Sequence, residues 1–156
     1  KRINQPFLAW YIEGAEKKVL VDTGPPQEEH ARKYHAPLNP RISQDQEVVN
    51  ALGKINVDPL DINIVILTHL HWDHTGNVDK FPNATMIAAE EELLYAINPL
   101  PPSYAGYEAF QIGLEPLFFK AIKQFQFIKM EEEQLIPGIQ ILPTPGHTPG
   151  SLSVLV

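Results

Sequence analysis

Apolar positions along the chain predict an alternation of short strands and helices. Runs rich in branched and aromatic residues predict strands at 6–12, 17–21, 62–67, 85–89, 125–128, 134–136 and 139–142. Helical spacing and helix-start signals predict helices at 27–34, from the capping box at 43–46 to Ile55, at 90–97 and at 114–123, with a helical turn at 76–80. This order is typical of a layered α/β fold.

Residues that break helices and strands mark the predicted turns. Gly14, in the segment 13–16, predicts a tight hairpin turn between the first two strands, and Pro137-Gly138 predicts a second turn. The segment 98–107 combines several breakers with aromatic residues and predicts a loop that is stiff in parts. Within this loop, Tyr104 and Tyr107 either wall a pocket or only pack the segment against the protein.

The apolar run at 62–67 is followed at once by four potential metal ligands, all within residues 69–74. The run is apolar on both alternations, which predicts a strand buried on both faces and a fixed platform at its end. His69 and His71 are two residues apart, so both imidazoles can reach one ion while the backbone stays extended. The adjacent side chains of Asp73 and His74 diverge and favour a second ion. The spacing therefore predicts two metals.

A further histidine, His147, lies between the Pro-Gly pairs at 145–146 and 149–150. These breaks predict a rigid loop after a strand, which can hold an imidazole in a fixed direction. With His69 and His71 it would form a three-histidine site with an open fourth position, the arrangement of a catalytic zinc. Because the chain has no cysteine, its imidazole and carboxylate ligands favour zinc, iron, manganese or nickel.

Three other polar residues have only local signals. Asp22 ends the second predicted strand just before Pro25-Pro26, and its position alone favours a turn-forming residue. His30 and His35 lie in a polar region without a partner at metal-ligand spacing. We predict that both histidines lie on the surface.

Length and charge limit the class of protein. At 156 residues the chain has the size of one domain, or of part of one. Its 12 Lys and Arg against 19 Asp and Glu give a net charge of −7 without any basic run, which argues against nucleic acid as a partner. No apolar stretch approaches the ~20 residues of a membrane span, and the start has no signal-peptide core. We therefore predict a cytoplasmic protein without a membrane or nucleic acid partner.

Three motifs together resemble those of the metallo-β-lactamase superfamily. They are Leu20-Val21-Asp22-Thr23-Gly24, Thr68-His69-Leu70-His71-Trp72-Asp73-His74-Thr75-Gly76 and Thr144-Pro145-Gly146-His147-Thr148-Pro149-Gly150. The form of the second motif and the stretch 137–151 look most like N-acyl homoserine lactonases. The resemblance covers essentially the whole chain and implies a four-layer αββα sandwich, of which residues 1–156 form the N-terminal portion. It implies one metal on His69, His71 and His147, a second metal on Asp73 and His74, and Asp22 beneath the site.

The resemblance also implies a metal-dependent hydrolase that acts on a small molecule. A hydroxide held between two zinc ions would attack a lactone, such as an N-acyl homoserine lactone, or another ester-like carbonyl. Asp73 would bind the second metal and orient the nucleophile or accept its proton. Trp72 would face the acyl portion of the substrate or pack against the sheet. Alternatives are a thioester or phosphodiester hydrolase of the same superfamily and a metal-binding fragment without activity; a homodimer is a further expectation.

Family members continue to an aspartate that bridges both metals and to a further histidine on the second metal. This chain ends at Val156 and lacks a starting methionine, so we expect it to be an incomplete portion of the domain. As an isolated polypeptide it is expected to fill the second metal position poorly and to hydrolyse little.

Overall fold

The computed structural model describes residues 3–156, so Lys1 and Arg2 of the predicted domain lie outside the described residues. The described strands are β1 (Trp10–Ile12), β2 (Val19–Val21), β3 (Ile64–Ile66), β4 (Thr85–Ala89), β5 (Phe125–Ile128), β6 (Glu133–Ile136), β7 (Ile139–Pro143) and β8 (Leu152–Leu155). The α-helices are α1 (Glu28–Tyr34), α2 (Val48–Lys54), α3 (Trp72–Thr75), α4 (Glu90–Ile97) and α5 (Tyr104–Tyr107). None of the helices in this part of the chain is both long and apolar enough to span a bilayer.

The larger sheet has the strand order β1-β2-β3-β4-β5, antiparallel between β1 and β2 and parallel elsewhere. Its central strand, β3, is buried at every residue, which confirms the predicted burial on both faces. Because successive side chains point to opposite faces, Val65 enters the core beneath the helices, whereas Ile64 and Ile66 enter a second core. The observed strand is shorter than the predicted 62–67.

The smaller sheet is antiparallel, with the order β6-β7-β8. Its inward-facing side chains, including Ile139, Ile141 and Leu152, pack against Ile64 and Ile66 to form the core between the sheets. Helices, larger sheet and smaller sheet are thus successive layers of the predicted αββα arrangement. The two sheets are also joined directly, because the Leu152 N–H donates a hydrogen bond of 2.8 Å to the Thr68 carbonyl, just before the histidine cluster.

Several element boundaries differ from the prediction. The predicted capping box is present between Ser43 and Gln46, but it caps a separate 3₁₀ helix, Gln44–Gln46, and α2 begins only at Val48. The predicted first two strands, 6–12 and 17–21, shorten to three residues each. Strand β8 was not predicted. The turn at Gly14 and the turn at Gly138 both use a positive φ, of 89° and 83°, as expected for glycine in tight turns.

The segment predicted as a stiff loop, 98–107, is partly helical. It contains a 3₁₀ helix at Pro101–Ser103 followed by α5, and two prolines begin this unit because a proline's fixed φ suits the first turn of a helix. The predicted helix 114–123 is a 3₁₀ helix, Leu117–Gln124, interrupted by non-helical angles at Ala121. These differences matter for function, because α5 lies against the histidine cluster.

Candidate metal centre

Three of the predicted ligands lie on two loops that meet at the junction of the sheets, and the other two, Asp73 and His74, lie in α3. Residues 67–71 connect β3 to α3, and His71 in extended conformation immediately precedes the helix. His147 lies on the loop between β7 and β8. The hydrogen bond from Leu152 to Thr68 holds the start of β8 against the first loop. The tertiary structure therefore brings together histidines that are 76 residues apart.

Three ring nitrogens converge at this junction. His71 Nδ1 lies 3.1 Å from His69 Nε2 and 3.1 Å from His147 Nε2. The ligand atoms of these three histidines all lie within 4.8 Å of one another, the compact grouping that a single ion requires. Zinc is commonly held by three protein ligands in catalytic sites, and neutral imidazole is one of its preferred donors. The donor set therefore fits a zinc ion bound by His69, His71 and His147.

The surroundings keep two of these imidazoles neutral. Burial, aided by the nearby His74, His71 and His147, lowers the pKa of His69 to about 2. Burial, with His147 and His74, lowers the pKa of His71 to about 3. A metal binds only the deprotonated ring nitrogen, so a site with such pKa values is ready for metal at neutral pH without losing protons first.

Asp22 lies fully buried beneath the cluster and accepts three hydrogen bonds. Its carboxylate accepts from the Thr68 N–H at 2.8 Å, from the Thr68 hydroxyl at 2.9 Å and from His74 Nδ1 at 2.8 Å. Asp22 also has a φ of 60°, a left-handed conformation that aspartate tolerates better than most residues. The backbone conformation of Asp22 thus places its carboxylate where it can accept several hydrogen bonds at once.

These hydrogen bonds select the tautomers of two histidines. His74 must carry its proton on Nδ1 to donate to Asp22, so its Nε2 keeps a free lone pair. Since the Thr68 hydroxyl donates to Asp22, its oxygen accepts from His69 Nδ1 at 3.1 Å, and the lone pair of His69 is likewise on Nε2. One buried carboxylate therefore prepares a nitrogen of each histidine for a ligand.

Asp73 and His74 form a second pair of potential ligands beside the first site. Asp73 Oδ2 lies 3.7 Å from His74 Nε2, and the His74 ring centroid lies 4.0 Å from that of His69. Burial lowers the pKa of His74, but its hydrogen bond to Asp22 and the charges of Asp22 and Asp73 outweigh burial and raise that pKa above its ordinary value. The pair would supply two donors to the predicted second metal.

Replacing Asp22 by asparagine should weaken metal binding by reversing a tautomer. An amide nitrogen facing His74 Nδ1 would donate to it, which moves the imidazole proton to Nε2 and removes the lone pair that a metal needs. We expect Asp22→Asn to lower zinc affinity by about 10–100-fold, the usual range for residues that orient metal ligands. Competition with a chelator measures the affinity, and ¹⁵N shifts of the His74 ring report the tautomer.

The matched control is Asp79→Asn, which makes the same chemical change at an exposed carboxylate paired with Lys80. This control should bind zinc as the unmodified protein does. An Asp22→Asn variant with unchanged zinc affinity and an unchanged His74 tautomer would contradict the proposed role of the buried carboxylate.

Sequence reasoning missed Glu92, which is fully buried in the first turn of α4. Its carboxylate contacts both metal loops, as described below. In the sequence it is one of three consecutive glutamates at a helix start, which the helix dipole explains without any further role. The sequence contains no signal that separates Glu92 from its exposed neighbours Glu90 and Glu91.

Helix α5 forms the wall behind His71. The Tyr107 ring is 1% exposed and packs edge-on against the His71 ring at a centroid distance of 4.4 Å. Burial and the neighbouring Glu92 raise the pKa of Tyr107 well above its usual range, so it remains a hydroxyl donor. Tyr104 is half-buried and packs against the core beneath the helices. Of the two tyrosines predicted for a pocket, Tyr107 is the one that touches a predicted ligand.

The close approach of Gly106 to His71 provides a steric test. A Cβ at Gly106 would lie 2.8 Å from His71 Nε2 and 2.9 Å from its Cδ2, closer than such atoms pack. Gly106→Ala should therefore push the imidazole out of line and weaken zinc binding by about tenfold, as a disturbed ligand support does. Gly53→Ala is the control, because no atom lies within 4 Å of its added Cβ, and this helical position should gain about 1 kcal/mol of stability. Equal zinc affinity in both variants would contradict this expectation.

The prediction that His35 lies on the surface is wrong, whereas His30 is partly exposed, with 32% of its side chain accessible. His35 is 5% exposed and its Nε2 donates to Glu108 Oε1 at 2.8 Å, while His30 donates to the same carboxylate at 2.8 Å. The His35 ring also stacks on Trp72 at a centroid distance of 3.8 Å. The buried Glu108 attracts both imidazoles, and it lies more than 70 residues away in sequence.

Trp72 lies in this packed region. It is 4% exposed, packs edge-on against Phe7 and shares a small core with Ala31, Ile42 and Leu117. Because Trp72 is the first residue of α3, this core supports the start of that helix. Of the two roles considered for Trp72, contact with the substrate or packing, the structure shows packing.

The chain belongs to the metallo-beta-lactamase superfamily, whose family model matches residues 8–156. Members of this superfamily bind metal ions, and the three-histidine cluster lies within the matched residues.

Among curated relatives, an N-acyl homoserine lactonase from Bacillus sp is 28% identical over 99% of this chain and 59% of its own length. The N-acyl homoserine lactonase AttM of Rhizobium radiobacter is 33% identical over 75% of this chain and 44% of its own length. A solved N-acyl homoserine lactone hydrolase, with N-hexanoyl-L-homoserine bound at its catalytic metal centre, is 25% identical with a TM-score of 0.70. That match covers 94% of this chain and 56% of that chain. The chain thus spans about three fifths of the length of the curated relatives that match it from end to end.

Proposed function

We propose that the protein is a zinc-dependent hydrolase that opens a lactone, with N-acyl homoserine lactones as the substrate class. The observation that carries this proposal is the convergence of the ligand atoms of His69, His71 and His147 within 4.8 Å of one another. Three protein ligands are the usual set of a catalytic zinc, whereas structural zinc sites use four. The similarity to proteins named as lactonases supports the choice of substrate.

The ligands divide between two metals in this proposal. His69, His71 and His147 hold the first, and Asp73 with His74 contributes to the second. When bound, zinc would lower the pKa of water to about 7 and polarise a carbonyl oxygen, which makes hydrolysis possible at neutral pH. Iron, manganese or nickel would suit the same imidazole and carboxylate donors.

The protein's own residues orient the reacting groups. Asp22 keeps the lone pairs of His69 and His74 directed into the centre. Asp73, whose side chain is 28% exposed, is the carboxylate of the centre that solvent and substrate can reach, so we assign it to orienting the nucleophile and accepting its proton. Tyr107 and Gly106 close the side behind His71 and exclude water there. Trp72, which is 4% exposed and packs against Phe7 and His35, supports the start of α3.

A substrate panel tests the proposal. The whole protein, loaded with zinc, is assayed against an N-acyl homoserine lactone, a thioester of the acylglutathione type and a phosphodiester. We expect hydrolysis of the lactone to be fastest, to be lost on chelation and to return when zinc is added. Faster hydrolysis of the thioester or phosphodiester would contradict the substrate class, and no hydrolysis of any of the three would contradict the proposed activity.

A further inference from the structure

Glu92 is the one carboxylate in the described structure that bonds to both metal loops. One of its oxygens, Oε1, accepts from the Leu70 N–H at 3.0 Å and from the Tyr107 hydroxyl at 2.7 Å. The other, Oε2, accepts from the Thr148 hydroxyl at 2.6 Å and from the Gly150 N–H at 3.1 Å. Leu70 lies between His69 and His71, and Thr148 follows His147 directly. The partners of Glu92 are therefore the immediate neighbours of all three ligands.

The burial of these groups makes the arrangement specific. Glu92 is 0% exposed, and its partners Leu70, Tyr107 and Thr148 are 1%, 1% and 2% exposed. All four partner groups are donors, so the two carboxylate oxygens satisfy each of them in a region without solvent. Losing an acceptor here leaves a buried donor unpaired, and such partly satisfied networks are costly.

The loop of His147 depends on this carboxylate more than the other loop does. His147 itself is exposed, and its hydrogen bond within the described structure is the contact with His71 Nδ1. Its neighbours are held instead: Thr148 bonds to Glu92 and Ser151, and Gly150 packs so closely on Glu92 that any Cβ there would overlap its backbone and Cβ. The exposed imidazole of His147 is thus positioned through Thr148 and Gly150, the residues after it that are bound to Glu92.

We propose that Glu92 is a positioning residue of the metal centre, in addition to Asp22. Its carboxylate fixes the loop of His147 relative to the segment of His69 and His71. It thereby sets the distances between the ring nitrogens that would bind one ion. This inference rests on the proposed function to the extent that the centre binds metal. It adds a specific claim, namely that Glu92 acts through His147 and not merely through the stability of the fold.

The test is zinc affinity in Glu92→Gln, measured by chelator competition. The amide keeps the size of the side chain but replaces one acceptor oxygen by a donor group, so at least one loop loses its anchor. We expect a loss of about 10–100-fold, the range for residues that support metal ligands. Glu91→Gln is the matched control, with the same chemical change one residue earlier in the same helix at an exposed side chain, and should bind zinc normally.

A double-mutant cycle separates positioning from general stability. In a His147→Ala background the affinity loss caused by Glu92→Gln should shrink to less than about threefold, because residues that act through one another are not additive. A purely stabilising role would instead produce the same loss with or without His147. Thr148→Val removes one of the four bonds and should cause part of the loss of zinc affinity. Thr148→Ser keeps the hydroxyl and should bind zinc normally. This pair of variants also tests the inference if Glu92→Gln folds poorly.

Hydrogen exchange gives a readout that needs no metal. In the metal-free protein, Glu92→Gln should speed exchange of the Leu70 and Gly150 amides relative to Glu91→Gln, because their acceptors are altered. Unchanged zinc affinity, additive losses in the cycle, or unchanged exchange at both amides would overturn the inference. If the unmodified protein binds zinc and the variants give the expected losses, but the unmodified protein hydrolyses none of the substrates, the proposed function is overturned and the positioning role is supported.

Discussion

Asp73→Asn should lower the rate of lactone hydrolysis by about 10²–10⁴-fold, the contribution typical of a positioned acid or base. Asp73 lies in the first turn of α3 with its side chain 28% exposed, and its carboxylate is 3.7 Å from His74 Nε2. An asparagine of the same shape keeps the packing but loses the charge and the capacity to accept a proton. Because the residue contributes little to the core, we expect the free energy of unfolding to change by no more than about 0.5 kcal/mol.

The measurement pairs steady-state kinetics with thermal unfolding of the whole protein. Asp79→Asn is again the matched control, because it changes an exposed carboxylate of a nearby 3₁₀ helix. It should leave both the rate and the melting temperature unchanged. If Asp73→Asn lost stability in proportion to its loss of rate, Asp73 would be a structural residue, and its assignment to the reaction would be wrong.

His71→Ala should abolish specific zinc binding, with an affinity loss on the order of 100-fold or more, since even ligand-supporting residues cost about 10–100-fold. His71 has the central place among the three histidines, because its Nδ1 is 3.1 Å from both His69 Nε2 and His147 Nε2. Among the described side chains, its other nitrogen, Nε2, is buried without a hydrogen-bond partner. Nδ1 is therefore the nitrogen through which the His71 imidazole would bind the metal.

Thermal unfolding with and without zinc measures this effect. A ligand that binds only the folded state stabilises it in proportion to the logarithm of its concentration over its dissociation constant. Zinc should raise the melting temperature of the unmodified protein and of His30→Ala, which removes an imidazole outside the cluster. It should not raise that of His71→Ala. A zinc-dependent rise retained in His71→Ala would mean that the metal binds elsewhere.

The parts of the fold that the sequence predicted correctly are those encoded over short stretches. The unbroken apolar run before Thr68 predicted a strand buried on both faces, and β3 is buried at all its residues. The elements were often shorter than predicted, because apolar runs extend past the residues that pair in the sheet. Proline-rich stretches were harder: residues 98–107 have the composition of a loop, yet Pro101 and Pro102 begin a helical turn.

The wrong prediction for His35 has a definite cause. Its partner Glu108 is 73 residues away and its stacking partner Trp72 lies on another segment, so nothing near His35 in sequence indicates burial. Glu92 was missed for the same reason, since its partner Thr148 is 56 residues away. A buried carboxylate and an exposed one have the same local pattern at the start of a helix.

The sequence by itself determined the layered α/β fold class, the family and the spacing of the candidate ligands on each loop, because strand periodicity and short motifs are local properties of the chain. Only the tertiary structure decided that His147 reaches within 3.1 Å of His71, that Asp22 sets the tautomers of His69 and His74, and that Glu92 joins both loops. These relations depend on how the two sheets and α4 pack against one another. That packing brings together residues tens of positions apart, which no local pattern records.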